Sequence, residues 1–126
     1  YFTKSAEKIY EVCDKSYYER ALSLAEDILC TENINVYVVT NDKEYSTSLL
    51  NGFNSNNKYK FIFYYKSEWA DFSLINRASI AIIPNSTFSM MSRMIAENDK
   101  VTIAPKKWFT ESSNLVSPQN DKFKYV

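Results

Sequence analysis

The residues best suited to chemistry lie in the run IIPNSTFSMM, positions 82–91. An apolar strand ends there, and a helix begins across Asn85, Ser86, Thr87, Phe88 and Ser89. The first amides of a helix have no intrahelical acceptor, and the helix dipole places partial positive charge at that end. Such a terminus attracts phosphate, and Ser86, Thr87 and Ser89 add hydroxyl donors to it. The same residue types lead the ranking of helix caps, so on spacing alone ordinary capping explains them at least as well. Asn85-Ser86-Thr87 also fits the glycosylation acceptor pattern, which a buried junction in a cytosolic chain disfavours.

Composition removes most other chemistry. The chain of 126 residues has no histidine, which excludes Ser-His-Asp and Cys-His nucleophile systems, imidazole acid–base catalysis and His-based metal sites. Its one glycine, Gly52, excludes the G-x-G-x-x-G and Walker-A loops, so any phosphate must be held without a glycine cradle. Fifteen basic and fifteen acidic residues give no net charge, which argues against a nucleic-acid partner or an anionic membrane held by bulk positive field. Cys13 and Cys30 form no C-x-x-C and read as reduced thiols of an intracellular domain. No apolar run approaches the roughly 18 residues of a membrane span. Three further positions stay open. Lys106 and Lys107 follow a strand end and either meet phosphate or sit exposed. Asp42 is a helix cap, a ribose ligand or neither. Tyr64-Tyr65 end a strand where an acceptor sugar could touch them, whereas Trp108-Phe109 read as packing.

The elements that must position these residues alternate. Ser16 to Glu19 matches a capping box, and Tyr18, Ala21, Leu22, Ala25, Ile28 and Leu29 recur at helical spacing behind it, up to about Glu32. Strands are expected at 34–40, 59–65, 79–84 and 100–104, and helices at 44–50, 69–78 and 88–97. In the last of these helices Phe88, Met91, Met94 and Ile95 share one side. An asparagine-rich loop separates the second helix from the second strand, and residues 106–126 have little period, as if packed across the surface. At 45% hydrophobic, this order predicts one α/β domain with a mostly parallel sheet between helical layers. Ligands of such folds bind outside the carboxyl ends of the strands.

Residues 71–109, DFSLINRASIAIIPNSTFSMMSRMIAENDKVTIAPKKWF, resemble the carboxyl-terminal signature of glycosyltransferase family 11, the α-1,2-fucosyltransferases. The family pattern is D-L-x-L-M-x-x-C-x-x-x-I-I-x-N-S-T-F-S-W-W followed by A-P-x-x-W-F. Upstream, Val12-Cys13, the run Tyr17 to Leu22 and Val38 to Asp42 are similar to the family's first helix and its V-F-S-D-D strand end. The combination of N-S-T-F-S with A-P-K-K-W-F is specific, and the likeness runs in order along nearly the whole chain.

The resemblance implies a Rossmann-like parallel sheet with helices on both faces, the carboxyl-terminal half of a GT-B glycosyltransferase, over residues 1–126. Its implied activity is transfer of fucose from GDP-β-L-fucose to a galactose hydroxyl in a glycan, with inversion and without metal or other cofactor. The donor site it implies comprises Asp71, Asn85, Ser86, Thr87, Phe88 and Ser89. Asp71 would read the guanine edge, since a carboxylate accepts two hydrogen bonds from guanine N1 and N2. The family carries H-x-R-R-G-D-Y just upstream, and Tyr1 matches its last letter, so the chain reads as cut at its start. The missing amino-terminal half is then a partner, and the fragment alone is expected to be inactive. The implied location is the cytoplasm, at most peripheral to the inner membrane. Met90 and Met91 stand where the family has two tryptophans, Asn76 to Ser79 replace its cysteine region, and Asn41-Asp42 replace D-D. The rival expectation is a non-catalytic α/β nucleotide-binding or interaction module.

Overall fold

The computed structural model describes residues 13–31, 33–53, 58–113 and 115–126. The family likenesses at Tyr1 and Val12, and most of the asparagine-rich loop, lie outside the described residues. The elements run α1 (Lys15–Leu29), β1 (Ile34–Val39), α2 (Lys43–Leu50), β2 (Tyr59–Tyr64), α3 (Glu68–Arg77), β3 (Ile80–Ile82), α4 (Thr87–Met94), β4 (Val101–Ala104), a 3-10 turn (Glu111–Ser113) and β5 (Phe123–Tyr125). The alternation read from the sequence is therefore present. Among the described residues all paired strands are parallel, and they form two sheets rather than one: β1 with β2, and β3-β4-β5.

The larger sheet carries the core, and its pleat divides the work. Successive side chains of a strand point to opposite faces. On one face Ile80, Ile82, Val101 and Ile103 pack against Tyr17, Ala21 and Ala25 of α1. On the other, Ala81, Ile83, Ala104 and Phe123 pack with Ala78, Met90 and Tyr125. Ile83 and Ile103 are essentially enclosed, and each such side chain contributes roughly 1.5–3 kcal/mol by leaving water. Helices thus cover both faces of this sheet.

Two local readings are corrected. The cap of α1 is Asp14, whose carboxylate accepts from Tyr17 N at 3.0 Å, not Ser16. Ser16 Oγ instead accepts from Arg20 Nη1. The segment after Lys106 is not merely draped on the surface, because β5 adds a parallel strand beside β4 in the register Thr102↔Phe123 and Ala104↔Tyr125.

Helix α1 touches both sheets. In its first turn the Tyr17 hydroxyl donates to Ile83 O at 2.6 Å, with Ile103 O at 3.4 Å, at the carboxyl ends of β3 and β4. Near its last turn Glu26 accepts from the Tyr59 hydroxyl and pairs with Lys58, at the amino end of β2. The start of α1 therefore lies at the carboxyl ends of β3 and β4, and its end at the amino end of β2.

Burial, with the neighbouring Cys13 and Tyr18 adding to it, raises the Tyr17 pKa well above its ordinary 10.0, and burial raises Tyr18 likewise. A raised folded-state pKa means that the unfolded phenol ionises first. The stability contributed by the neutral phenols is therefore full below about pH 10 and is lost as pH rises above it. Urea midpoints should stay flat from pH 7 to 9 and fall beyond about pH 10. In Tyr17→Phe the alkaline fall should be shallower. An equally steep fall in that variant would count against this origin.

Candidate functional site

The loops after β3 and β4 meet at Asn85. Its side chain is 7% exposed, and Nδ2 donates to Trp108 O at 3.1 Å while Cys13 Sγ lies 3.6 Å from Oδ1 as a donor. Trp108 is buried, and its amide donates to Ser117 Oγ at 2.9 Å. Together with the Tyr17 hydroxyl on Ile83 O, these bonds fix the backbone just before α4 from three directions.

Helix α4 starts with Ser86 as its cap. Ser86 has extended backbone, and its Oγ accepts from Ser89 N at 3.4 Å. Met90 N closes the first turn on Ser86 O at 2.9 Å. The amides of Thr87 and Phe88 find no acceptor among the described residues. Two N–H groups with the positive end of the dipole are thus left at a strand's carboxyl end, the arrangement that holds an anion.

Asp71 comes from α3, which follows β2. Ser67 caps α3 by accepting from Ala70 N at 3.1 Å. Asp71 is 6% exposed, and its Oδ1 accepts from Lys66 N at 3.4 Å, which leaves Oδ2 with no donor among the described residues. The second turn of α3 lies beside the first turn of α4, since the Phe72 and Phe88 rings meet edge-on at 5.4 Å. Further along, Ser92 Oγ donates to Phe72 O and Asn76 Nδ2 to Ser92 O, so the helices run parallel. The structure therefore sets Phe72, the chain neighbour of Asp71, against Phe88 in the helix start at 85–89. Two cavities, of about 250 and 390 Å³, border Arg93 and the pair Phe72 and Asn76 respectively, and neither is lined by Asp71 or by Asn85 to Ser89.

The other sequence candidates have separate duties. Asp42 caps α2, accepting from Tyr45 N at 2.9 Å. Lys107 pairs with Glu111 at 3.0 Å, and Lys106 N donates to Val126 O. Sequence reading missed Tyr17 and Cys13 as supports of the Asn85 loop. A tyrosine within an apolar helical stripe was the available signal for the first. It also missed Arg93, which is buried in α4 with its guanidinium on Ile75, Asn76, Ala78 and Val101 carbonyls and Thr102 Oγ1.

The profile of glycosyl transferase family 11 matches residues 1–125. The chain belongs to that family. No curated protein and no solved structure gives a significant match. Family 11 membership makes this a glycosyltransferase chain, generally a fucosyltransferase, which acts on a sugar nucleotide donor and a glycan acceptor. The two-sheet parallel α/β fold is consistent with a Rossmann-like part of such an enzyme. Among the described residues, no helix is long and apolar enough to cross a membrane.

Proposed function

We propose that this chain is the donor-binding half of an inverting α-1,2-fucosyltransferase that uses GDP-β-L-fucose. The observation that carries the reading is the pair of unpartnered amides, Thr87 N and Phe88 N, where the Phe88 ring meets Phe72, the chain neighbour of Asp71 with its open Oδ2. The amides and the Thr87 and Ser89 hydroxyls would take diphosphate oxygens. Asp71 would accept from guanine N1 and N2, a pattern that adenine does not offer. Phe88, 41% exposed, offers a ring to the nucleoside. Asn85, whose side chain is spent on Trp108 and Cys13, positions this surface rather than touching the donor.

In the reaction, a galactose hydroxyl oxygen attacks fucose C1 from the face opposite the diphosphate. The C1–O bond to phosphate breaks, GDP leaves with the bonding pair, and the hydroxyl proton passes to a base. The helix terminus stabilises the negative charge that grows on GDP as that bond breaks. No cofactor beyond the donor is required. The open donor surface suits an enzyme in which a second half closes over the nucleotide. The exposed, reduced thiol of Cys30 suits a cytoplasmic enzyme.

The guanine role has a direct test. Asp71→Asn keeps an acceptor for Lys66 N but loses the charge and gains a misplaced donor. Calorimetry should show GDP affinity reduced about ten-fold or more, the worth of one charge-assisted contact, with ADP affinity unchanged. Equal loss for both nucleotides would remove Asp71 from base recognition.

A further inference from the structure

The amino end of the larger sheet holds a second group of polar residues, away from the proposed donor surface. A cavity of about 250 Å³ lies where β4 and β5 begin and α4 has ended. Arg93 and Thr102, each 2% exposed, line it together with Asn98, Lys100 and Lys122. Thr102 is the second residue of β4 and pairs with Phe123, the first of β5. Asn85 stands beyond the other end of this sheet, after β3.

The donors of this cavity are not all used. Thr102 Oγ1 accepts from Arg93 Nε at 2.9 Å, but its own O–H has no acceptor among the described residues. Arg93 Nη2 donates one N–H to Val101 O at 2.9 Å, and its other N–H has no acceptor there either. Lys122 Nζ gives one of its three N–H groups to Asn98 Oδ1 at 3.2 Å, and the Lys100 ammonium gives none. Among the described residues no carboxylate pairs with any of these three cations, and Glu97, the one acid in the lining, is exposed.

Charge decides what such a cavity can hold. A buried cation is costly unless dipoles or an anion answer its charge, and here only carbonyls and one hydroxyl do so. Lys100 and Lys122 add two like charges at the rim, which repels a metal cation. The buried groups offer donors and no free acceptor, which disfavours a neutral ligand that needs both. The volume falls below the roughly 300–1,000 Å³ of small-molecule sites, so a nucleotide does not fit. A compact oxyanion fits on both counts, since its oxygens accept charge-assisted hydrogen bonds and its charge answers the guanidinium.

We propose that this cavity binds a small oxyanion, phosphate, between Arg93, Thr102, Lys100 and Lys122. The site is separate from the donor surface and does not depend on that reading. Because the ion would join the end of α4 to the starts of β4 and β5, it should also stabilise the folded chain.

Inorganic phosphate is titrated into the isotope-labelled chain at constant ionic strength, and the Arg93 Nε–H signal is followed by NMR beside the backbone amides. Saturable shifts are expected at Arg93 Nε, at Lys100 to Thr102 and at Lys122 and Phe123, at about millimolar phosphate, with the thermal midpoint rising over the same range. Lys122→Ala changes an exposed side chain and should raise the half-saturating concentration about five-fold, as should Lys100→Ala. No saturable shift of Arg93 Nε at tens of millimolar phosphate overturns the site. So does an equal response to sodium chloride, or a half-saturating concentration that neither lysine variant changes. GDP moving Arg93 Nε at lower concentrations than phosphate also overturns it. Phosphate shifts here in a chain that gives no response to GDP uphold this site and overturn the donor reading.

Discussion

Replacing Arg93 with methionine is expected to destabilise the fold by about 3–5 kcal/mol, a large part of the stability of an ordinary domain. Arg93 is 2% exposed, and its side chain crosses from α4 to the end of α3 and to β4. Nη1 donates to Ile75 O, Asn76 O and Ala78 O at 2.7, 3.1 and 2.8 Å, Nη2 to Val101 O at 2.9 Å, and Nε to Thr102 Oγ1 at 2.9 Å. The last carbonyls of a helix have no intrahelical donor, and here one guanidinium supplies it for α3. Burial lowers the Arg93 pKa from its ordinary value, the sign of a cation held away from water by dipoles rather than by a carboxylate. Methionine fills the volume but leaves those carbonyls unpaired. Arg93→Lys should recover only part of the loss, because an ammonium lacks the planar fork. Urea unfolding followed by circular dichroism measures both. A midpoint for Arg93→Met equal to that of the parent would remove the guanidinium from any account of what joins α3, α4 and β4.

The second large effect is at Asn85, where two substitutions that both remove the donor to Trp108 O differ in the charge they leave beside the helix start. Asn85→Ala leaves Trp108 O without its donor and should cost about 1–3 kcal/mol of stability, as unpaired buried groups do. It also frees the loop before α4, so GDP affinity should fall about ten-fold through misplacement of the Thr87 and Phe88 amides. Asn85→Asp keeps an acceptor for Cys13 Sγ but also strips Trp108 O of its donor and sets a buried carboxylate against that carbonyl, so its stability loss should be at least as large. Its GDP affinity should fall further still, because the new negative charge opposes the diphosphate. Calorimetry and thermal unfolding on the same preparations give both orders. If Asn85→Asp binds GDP as tightly as the parent, the diphosphate does not sit at the start of α4.

Much of this arrangement was legible in the residues. The succession of helices and strands followed from changes of apolar period, and the junction at 85–89 from a strand running into capping residues. Other features were not. Period groups Phe88, Met91, Met94 and Ile95 on one side of α4 but does not say which side turns inward. The face buried is Ser89, Ser92 and Arg93, and the apolar face looks out. The reason is that Arg93 and Ser92 satisfy backbone carbonyls of α3, contacts that no helical period encodes. The strand at Phe123–Tyr125 is three residues long, too short for an alternation to stand out, and its place is set by pairing with β4. The division into two sheets was also invisible, since strand pairing depends on partners remote in sequence. Asp71 drew notice through a family pattern alone, and its burial beside Lys66 N became apparent only in three dimensions.

The central claim is that GDP binds at the start of α4 beside Asp71, and an amide-resolved NMR titration of the chain with GDP tests it most directly. The account predicts saturable shifts concentrated at Asn85 to Ser89 and around Asp71, weaker with ADP, with the Arg93 to Lys100 region unmoved. A folded chain showing no shifts with GDP, or shifts centred away from that helix start, would contradict it.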